Sequence, residues 1–276
     1  MKWGILLLFW SCLSFGQSPA VGVVTNFENA ALLKGVGYDF IVESVARTIS
    51  PRSVTEEQFK KNLAAFQKLP TPIYAFNIFL PSDLKVVGPD VSEEKITSYA
   101  EEVFRRSARA NVHLIVWGSS GSRKLPDGFS REVAENQFVS IASQLARLAQ
   151  KYDITLAIEN LNRSETNFLN SVEEVLSVVK RVNHPNLRLC ADIYHMLREG
   201  EGPAILEKAS NYLVHCDLAE RDERTPPGVR GDDFRPYFEE LKRINYQGRI
   251  VLECDWEDLA NQAGPALQAL RNQLNW

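Results

Sequence analysis

Cysteine is scarce in this chain: four in 276 residues, one of them (Cys12) inside the N-terminal apolar run. Cys190, Cys216 and Cys254 are far apart and each falls in a predicted strand. An odd count without short spacing excludes a disulfide framework and a cysteine-based zinc site, leaving buried thiols that act as small hydrophobes. Excess positive charge is lacking as well. The 31 Lys and Arg against 35 Asp and Glu give a net −4, so there is no broad cationic field for DNA or RNA. Small neutral or cationic ligands are left. No Gly-x-Gly-x-x-Gly turn follows the first strand, and no glycine-rich phosphate cradle is visible. No linker, repeat array or low-complexity tract divides the sequence.

The N-terminus carries the one strongly apolar run. Lys2 is a positive n-region, Ile5 to Trp10 an apolar core and Ser14-Phe15-Gly16 a small-residue cleavage pattern. The run is too short for a permanent membrane span. Residues 1–16 are therefore read as a cleaved export signal and 17–276 as the mature, periplasmic or extracellular domain. Cys12 raises a lipoprotein alternative, disfavoured by the bulky Phe9-Trp10 before it.

After that segment, short apolar runs alternate with helical patterns. Strands are expected over 21–25, 39–45, 72–80, 113–118, 155–160, 186–192, 213–218 and 249–254. Helices are expected from Ala30 and over 55–67, 93–110, 131–152, 172–182, 203–209, 234–244 and 264–274, with Ser92 as a plausible cap and capping character at Ser53 to Glu56. Eight strand–helix pairs imply parallel strands with helical crossovers, and eight closes a barrel. The fold class is α/β, a single (β/α)8 TIM barrel; an open doubly wound sheet is the alternative.

Chemistry in such a fold sits at the carboxyl ends of the strands. Glu159 ends the fifth strand, Asp192 the sixth, His215 the seventh and Glu253 the eighth, all with inward parity. That parity also turns Cys190 inward and Cys216 and Cys254 toward the helices. Three carboxylates within a few ångströms would raise one another's pKa unless a cation lay among them. Three oxygens and one imidazole suit Mn2+, Co2+ or Mg2+, with Zn2+ possible. The competing reading makes each acid a helix cap or an arginine partner.

Ile158 to Glu165, Ala191 to Met196 (Ala-Asp-Ile-Tyr-His-Met), His215 to Glu220 (His-Cys-Asp-Leu-Ala-Glu) and Val251 to Asp255 together resemble the metal-site motifs of the xylose isomerase-like TIM-barrel superfamily. The sequence is most similar there to ketose 3-epimerases and hydroxypyruvate isomerases, over nearly the whole mature chain and most clearly from Gly118 to Gly128 onward. The resemblance implies that Glu159, Asp192, His215 and Glu253 are metal ligands and that Glu159 and Glu253 are the acid/base pair. It also implies that His195, Glu165 and Arg221 contact substrate. In the related apurinic endonucleases the loop after the seventh strand carries an Asp-x-His pair for additional zinc ions; here Asp233 is followed two residues later by Arg235, and strands three and four lack ligand histidines at their ends, so that nuclease site is incomplete.

Glu43, inward at the end of the second strand, is read as a further substrate contact, with an ion pair to a rim arginine as the alternative. Arg123 either binds an acidic substrate or holds its loop. Trp117, Phe76 and Phe79 are core aromatics by default, and His113 and His184 are structural or solvated. The expected function is a metal-dependent isomerase or epimerase that moves a proton next to a ketose carbonyl through an enediolate, on a small sugar or keto sugar. The alternatives are a lyase or dehydratase on an oxidised sugar or cyclitol, and a non-catalytic sugar-binding barrel. The oligomeric state is left open.

Overall fold

The computed structural model describes residues 18–274. The expected export signal over 1–16 lies outside them. Eight parallel strands close in sequence order into one barrel: β1 Val21–Val24, β2 Phe40–Ser44, β3 Ile73–Asn77, β4 Leu114–Trp117, β5 Thr155–Glu159, β6 Leu187–Asp192, β7 Leu213–Leu218 and β8 Arg249–Leu252. The helices are α1 Ala30–Val36, α2 Val45–Thr48, α3 Glu56–Phe66, α4 Glu93–Arg109, α5 Arg131–Gln150, α6 Val172–Val182, α7 Ile193–Glu199, α8 Ile205–Ala209, α9 Arg235–Arg243 and α10 Leu259–Gln273. Among the described residues no helix is long and apolar enough to cross a membrane.

The strands read as continuous apolar runs because both faces are covered. Outward residues such as Ile115, Ile158, Leu189, Cys216 and Ile250 pack on the helices in one large core. Inward residues, including Phe40, Val42, Ala75, Val116, Ala157, Cys190 and Val251, fill the barrel itself. The bottom is plugged by Phe40 and Tyr74, their rings 5.1 Å apart, with the Arg249 guanidinium 3.6 Å from the Tyr74 centroid. Gly22 makes room for that plug: a Cβ there would lie 2.2 Å from the Phe40 ring.

Several boundaries differ from expectation. The third strand stops at Asn77, because Ile78 turns into the left-handed region with φ 53°. Asp192 closes β6 and at once caps α7, which makes two helices after the sixth strand. Asp258 caps α10 five residues ahead of the expected start. Ser92 makes no capping bond, whereas Thr55 accepts from Gln58 N as its capping character predicts. A bulge where β6 meets β7 sets Leu189 opposite Leu213 but Cys190 opposite His215. That irregularity decides which residue of β7 reaches the rim.

Candidate active site

Glu159, Asp192 and Glu253 meet at the carboxyl ends of their strands. Asp217, rather than His215, completes the group. Ligand atoms of Glu159, Asp217 and Glu253 lie within 4.8 Å of one another, as do those of Glu159, Asp192 and His195. Asp217 pairs in register with Asp192, whereas His215 pairs with Cys190 one inward step deeper. There the His215 ring stacks on Tyr74 with centroids 6.1 Å apart, and its Nε2 lies 3.1 Å from Asp217 Oδ1. The expected imidazole ligand is thus replaced at the rim by a fourth carboxylate.

His195 is also at the rim, but its ring is committed in a particular way. Nδ1 accepts the Asn162 backbone N–H at 3.1 Å and meets the Asn162 side-chain nitrogen at 2.8 Å. Asn162 Oδ1 is taken by Ser164, so its amide nitrogen faces the ring as a donor. Two donors on Nδ1 leave the proton of the neutral ring on Nε2. Nε2 then has no lone pair for a metal; it lies 3.4 Å from Asp192 Oδ2 and 3.5 Å from Glu159 Oε1 without a formed hydrogen bond to either. Burial disfavours a second proton on this ring, but the charges of Asp192 and Glu159 outweigh it and raise the pKa. The Asn162 donors oppose that protonation at Nδ1. Asp192 Oδ1 accepts His195 N at 3.2 Å, so one acid both faces the site and starts the helix that presents the imidazole.

The acids are crowded. Burial pushes the Glu159 carboxyl up to about 7; contact with His195 pulls it down and the charge of Asp192 pushes it further up. Burial also raises Glu253, opposed by Arg224 and reinforced by Glu159. The Glu253 side chain is still one-fifth exposed, so solvent moderates this rise. Asn77 Nδ2 donates to Glu253 Oε1 at 3.1 Å, and Asn160 clamps the Asp192 backbone through both its N–H and its carbonyl. Gly118 backs Glu159 so closely that a Cβ there would lie 2.3 Å from Glu159 Oε2.

The arginine in the site is Arg224. Its guanidinium lies 2.8 Å from Glu253 Oε2, 3.6 Å from Asp192 Oδ2 and 3.3 Å from Glu165 Oε1, and covers the Tyr194 ring at 4.8 Å. Arg221 turns outward to Asp222 and is half exposed. Glu220 explains the difference: it accepts from Thr225 Oγ1, Gly228 N, Arg230 N and Gly231 N, folding the loop around itself so that Arg224 points inward. Glu165 takes its expected place at the rim, 4.0 Å from His195 Nε2. Glu43 does not. Its oxygens accept from Phe27 N, Ser44 N and the Arg47 guanidinium, which is the ion-pair alternative, and it is not free to meet a substrate.

One guanidinium cannot balance four clustered carboxylates. Asp192 Oδ2 and Asp217 Oδ1 are buried with no formed hydrogen bond, only the looser approaches of Arg224 and His215, and a bound cation would satisfy them. The donors therefore fit a metal ion among Glu159, Asp217 and Glu253, with Asp192 joined to them through Glu159.

The family profile described as xylose isomerase-like TIM barrel matches residues 30–276. The chain belongs to this family. Among relatives of this xylose isomerase-like barrel, the L-ribulose 3-epimerase of Methylomonas sp. (strain DH-1) is 32% identical over 170 residues, which is 54% of this chain and 59% of the relative. The hydroxypyruvate isomerase of Escherichia coli (strain K12) is 29% identical over 133 residues, 47% of this chain and 52% of that enzyme. The chain thus spans little more than half the length of these relatives. Of solved structures, a D-psicose 3-epimerase with D-tagatose from Clostridium cellulolyticum H10 superposes with a TM-score of 0.81 at 18% identity, covering 93% of this chain and 100% of that one. A 3-keto-D-glucoside 4-epimerase from E. coli gives 0.76 at 19% identity, covering 92% and 99%. At these identities the superpositions establish the barrel alone.

Proposed function

We propose that this barrel is a divalent-metal-dependent isomerase or epimerase of small keto sugars. The observation that carries the reading is the meeting of Glu159 and Glu253 in one carboxylate group beside the Nε2–H of His195. Glu159 can take a carbon-bound proton and give it back; in the metal-free site burial holds its carboxyl near 7, and a bound cation would lower it. Glu253, held by Asn77 and Arg224, is placed to act as its partner. The His195 Nε2–H and Arg224 supply donors for substrate oxygens, and Glu165 an acceptor for a hydroxyl. A bound divalent ion would polarise the carbonyl and make the neighbouring C–H more acidic. With His195 turned to donate and His215 buried below, the ligands are all oxygen, which favours Mg2+ or Mn2+ over Co2+ and Zn2+. Return of the proton to the same carbon gives epimerisation, and to the neighbouring carbon isomerisation.

Names of relatives support the reading: several are ketose 3-epimerases, and one is a hydroxypyruvate isomerase. The test is deuterium incorporation next to the carbonyl across a panel of keto sugars, with metal-stripped and metal-restored protein. Exchange only after metal is restored is expected; no exchange on any keto sugar with any of the four metals would overturn it. Export is a separate proposal, checked by N-terminal sequencing of protein from fractionated cells, with a chain beginning at Gln17 as the expected result.

A further inference from the structure

Arg123 lies in the loop between β4 and α5 and is fully buried. None of its three side-chain nitrogens meets an acceptor among the described residues. A guanidinium presents five N–H donors, and a buried one is ordinarily paired with a carboxylate or several carbonyls. Here the charges that act on it belong to Glu159, Glu165 and Glu174, none at bonding distance. Burial holds its pKa down to about 10, so it is still charged at neutral pH.

Its position ties it to the site. The loop leaves β4 at Gly118, against the Glu159 carboxylate. It is pinned two residues beyond Arg123, where Leu125 and Asn167 exchange hydrogen bonds of 2.8 and 2.9 Å. Arg123 thus lies on the stretch between Gly118 and the β5–α6 loop, near enough for the charges of Glu159 and Glu165 to act on it. The other site guanidinium, Arg224, is already paired with Glu253 and Glu165, which leaves it too few donors to take a substrate carboxylate in two parallel bonds.

Resting on the isomerase reading above, we infer that Arg123 receives a carboxylate of the substrate, which makes the preferred substrate a keto sugar acid. A planar fork of donors meets a carboxylate in two parallel bonds. A single guanidinium balances a monoanion, and Lys124 beside it faces solvent; a dianionic phosphate would call for more.

The test compares a neutral ketohexose with the same sugar carrying a terminal carboxylate in place of its primary alcohol, by metal-dependent deuterium exchange. Wild-type protein should favour the acid by about tenfold or more in kcat/KM. Arg123→Gln should erase that preference by raising KM for the acid while leaving the neutral sugar within about twofold, and Arg123→Lys should restore part of it. Equal losses on both sugars, or a wild-type preference for the neutral one, would overturn the assignment. If neither sugar exchanges, the isomerase reading fails, and Arg123 is judged by calorimetry. D-Gluconate should then bind wild-type protein more tightly than D-glucitol, with the difference lost in Arg123→Gln. Identical binding by both proteins overturns the assignment, and tighter binding of inorganic phosphate than gluconate overturns the choice of carboxylate. Because Arg123 has no internal partner, Arg123→Gln should melt no lower than wild type. A drop of many degrees would show that the guanidinium braces the loop instead.

Discussion

The two halves of the barrel treat a rim carboxylate in opposite ways. Glu43, at the end of β2, is buried and completely engaged by two backbone N–H groups and Arg47. Around β5 to β8, Glu159, Asp192, Asp217 and Glu253 share one arginine, and two of their oxygens are buried without a hydrogen bond. All five acids stand at strand ends and read alike in sequence. What separates a structural acid from a chemical one is whether its oxygens are already taken.

The contrast can be broken most forcefully by neutralising one acid on each side. Glu253→Gln should lower metal-dependent exchange by about a thousandfold, the usual scale for losing a positioned acid or base. Glu43→Gln should cost about 1–3 kcal/mol of stability, because donors on Phe27, Ser44 and Arg47 lose a charged acceptor, and should leave turnover by the folded protein unchanged. Urea unfolding and exchange kinetics on both variants check the pair.

A smaller displacement tests the packing behind Glu159. Gly118→Ala should push its carboxylate aside and reduce exchange by about a hundredfold, the effect of moving a reacting group by roughly an ångström, with a normal circular dichroism spectrum. Next comes the choice within β7. Asp217→Asn should weaken Mn2+ binding by at least about tenfold, since even outer partners of a ligand are worth that much, whereas His215→Gln should leave it within a fewfold. Calorimetric metal titration of both variants decides between them.

The mildest expected effect is on pH. In metal-stripped protein Glu159 titrates near 7, against 4.5 when unperturbed. Between those values the folded state holds a proton that the unfolded chain has released, so stability should fall as pH rises through the window. Glu253 is raised in the same direction. Melting temperatures from pH 5 to 7.5 should therefore decline without metal, and metal should stabilise most at the upper end.

Much of this was legible in the residues. Apolar runs ending at Glu159, Asp192 and Glu253 gave the barrel and three of the four clustered acids, because a strand buried on both faces tolerates charge only at its end. Inward parity placed Cys190 inside the barrel and Cys216 outside it, as found. His215 was misplaced because the β6–β7 bulge shifts register by one residue, and no local pattern announces a bulge; the Asp two residues further on was the available signal. Arg221 and Arg224 are equivalent in composition, and only the folding of the loop around Glu220 separates them. Asn77 was hidden because the strand stops there, three residues before the expected end. The orphaned guanidinium of Arg123 could not be seen at all, since partnership is a property of the folded surroundings.

The most direct test is an anomalous diffraction measurement on crystals grown with Mn2+. The account predicts one strong peak among the side-chain oxygens of Glu159, Asp217 and Glu253, beside Asp192, with no bond from His195 or His215. A peak ligated by either imidazole, or no peak at this rim at saturating Mn2+, would contradict it.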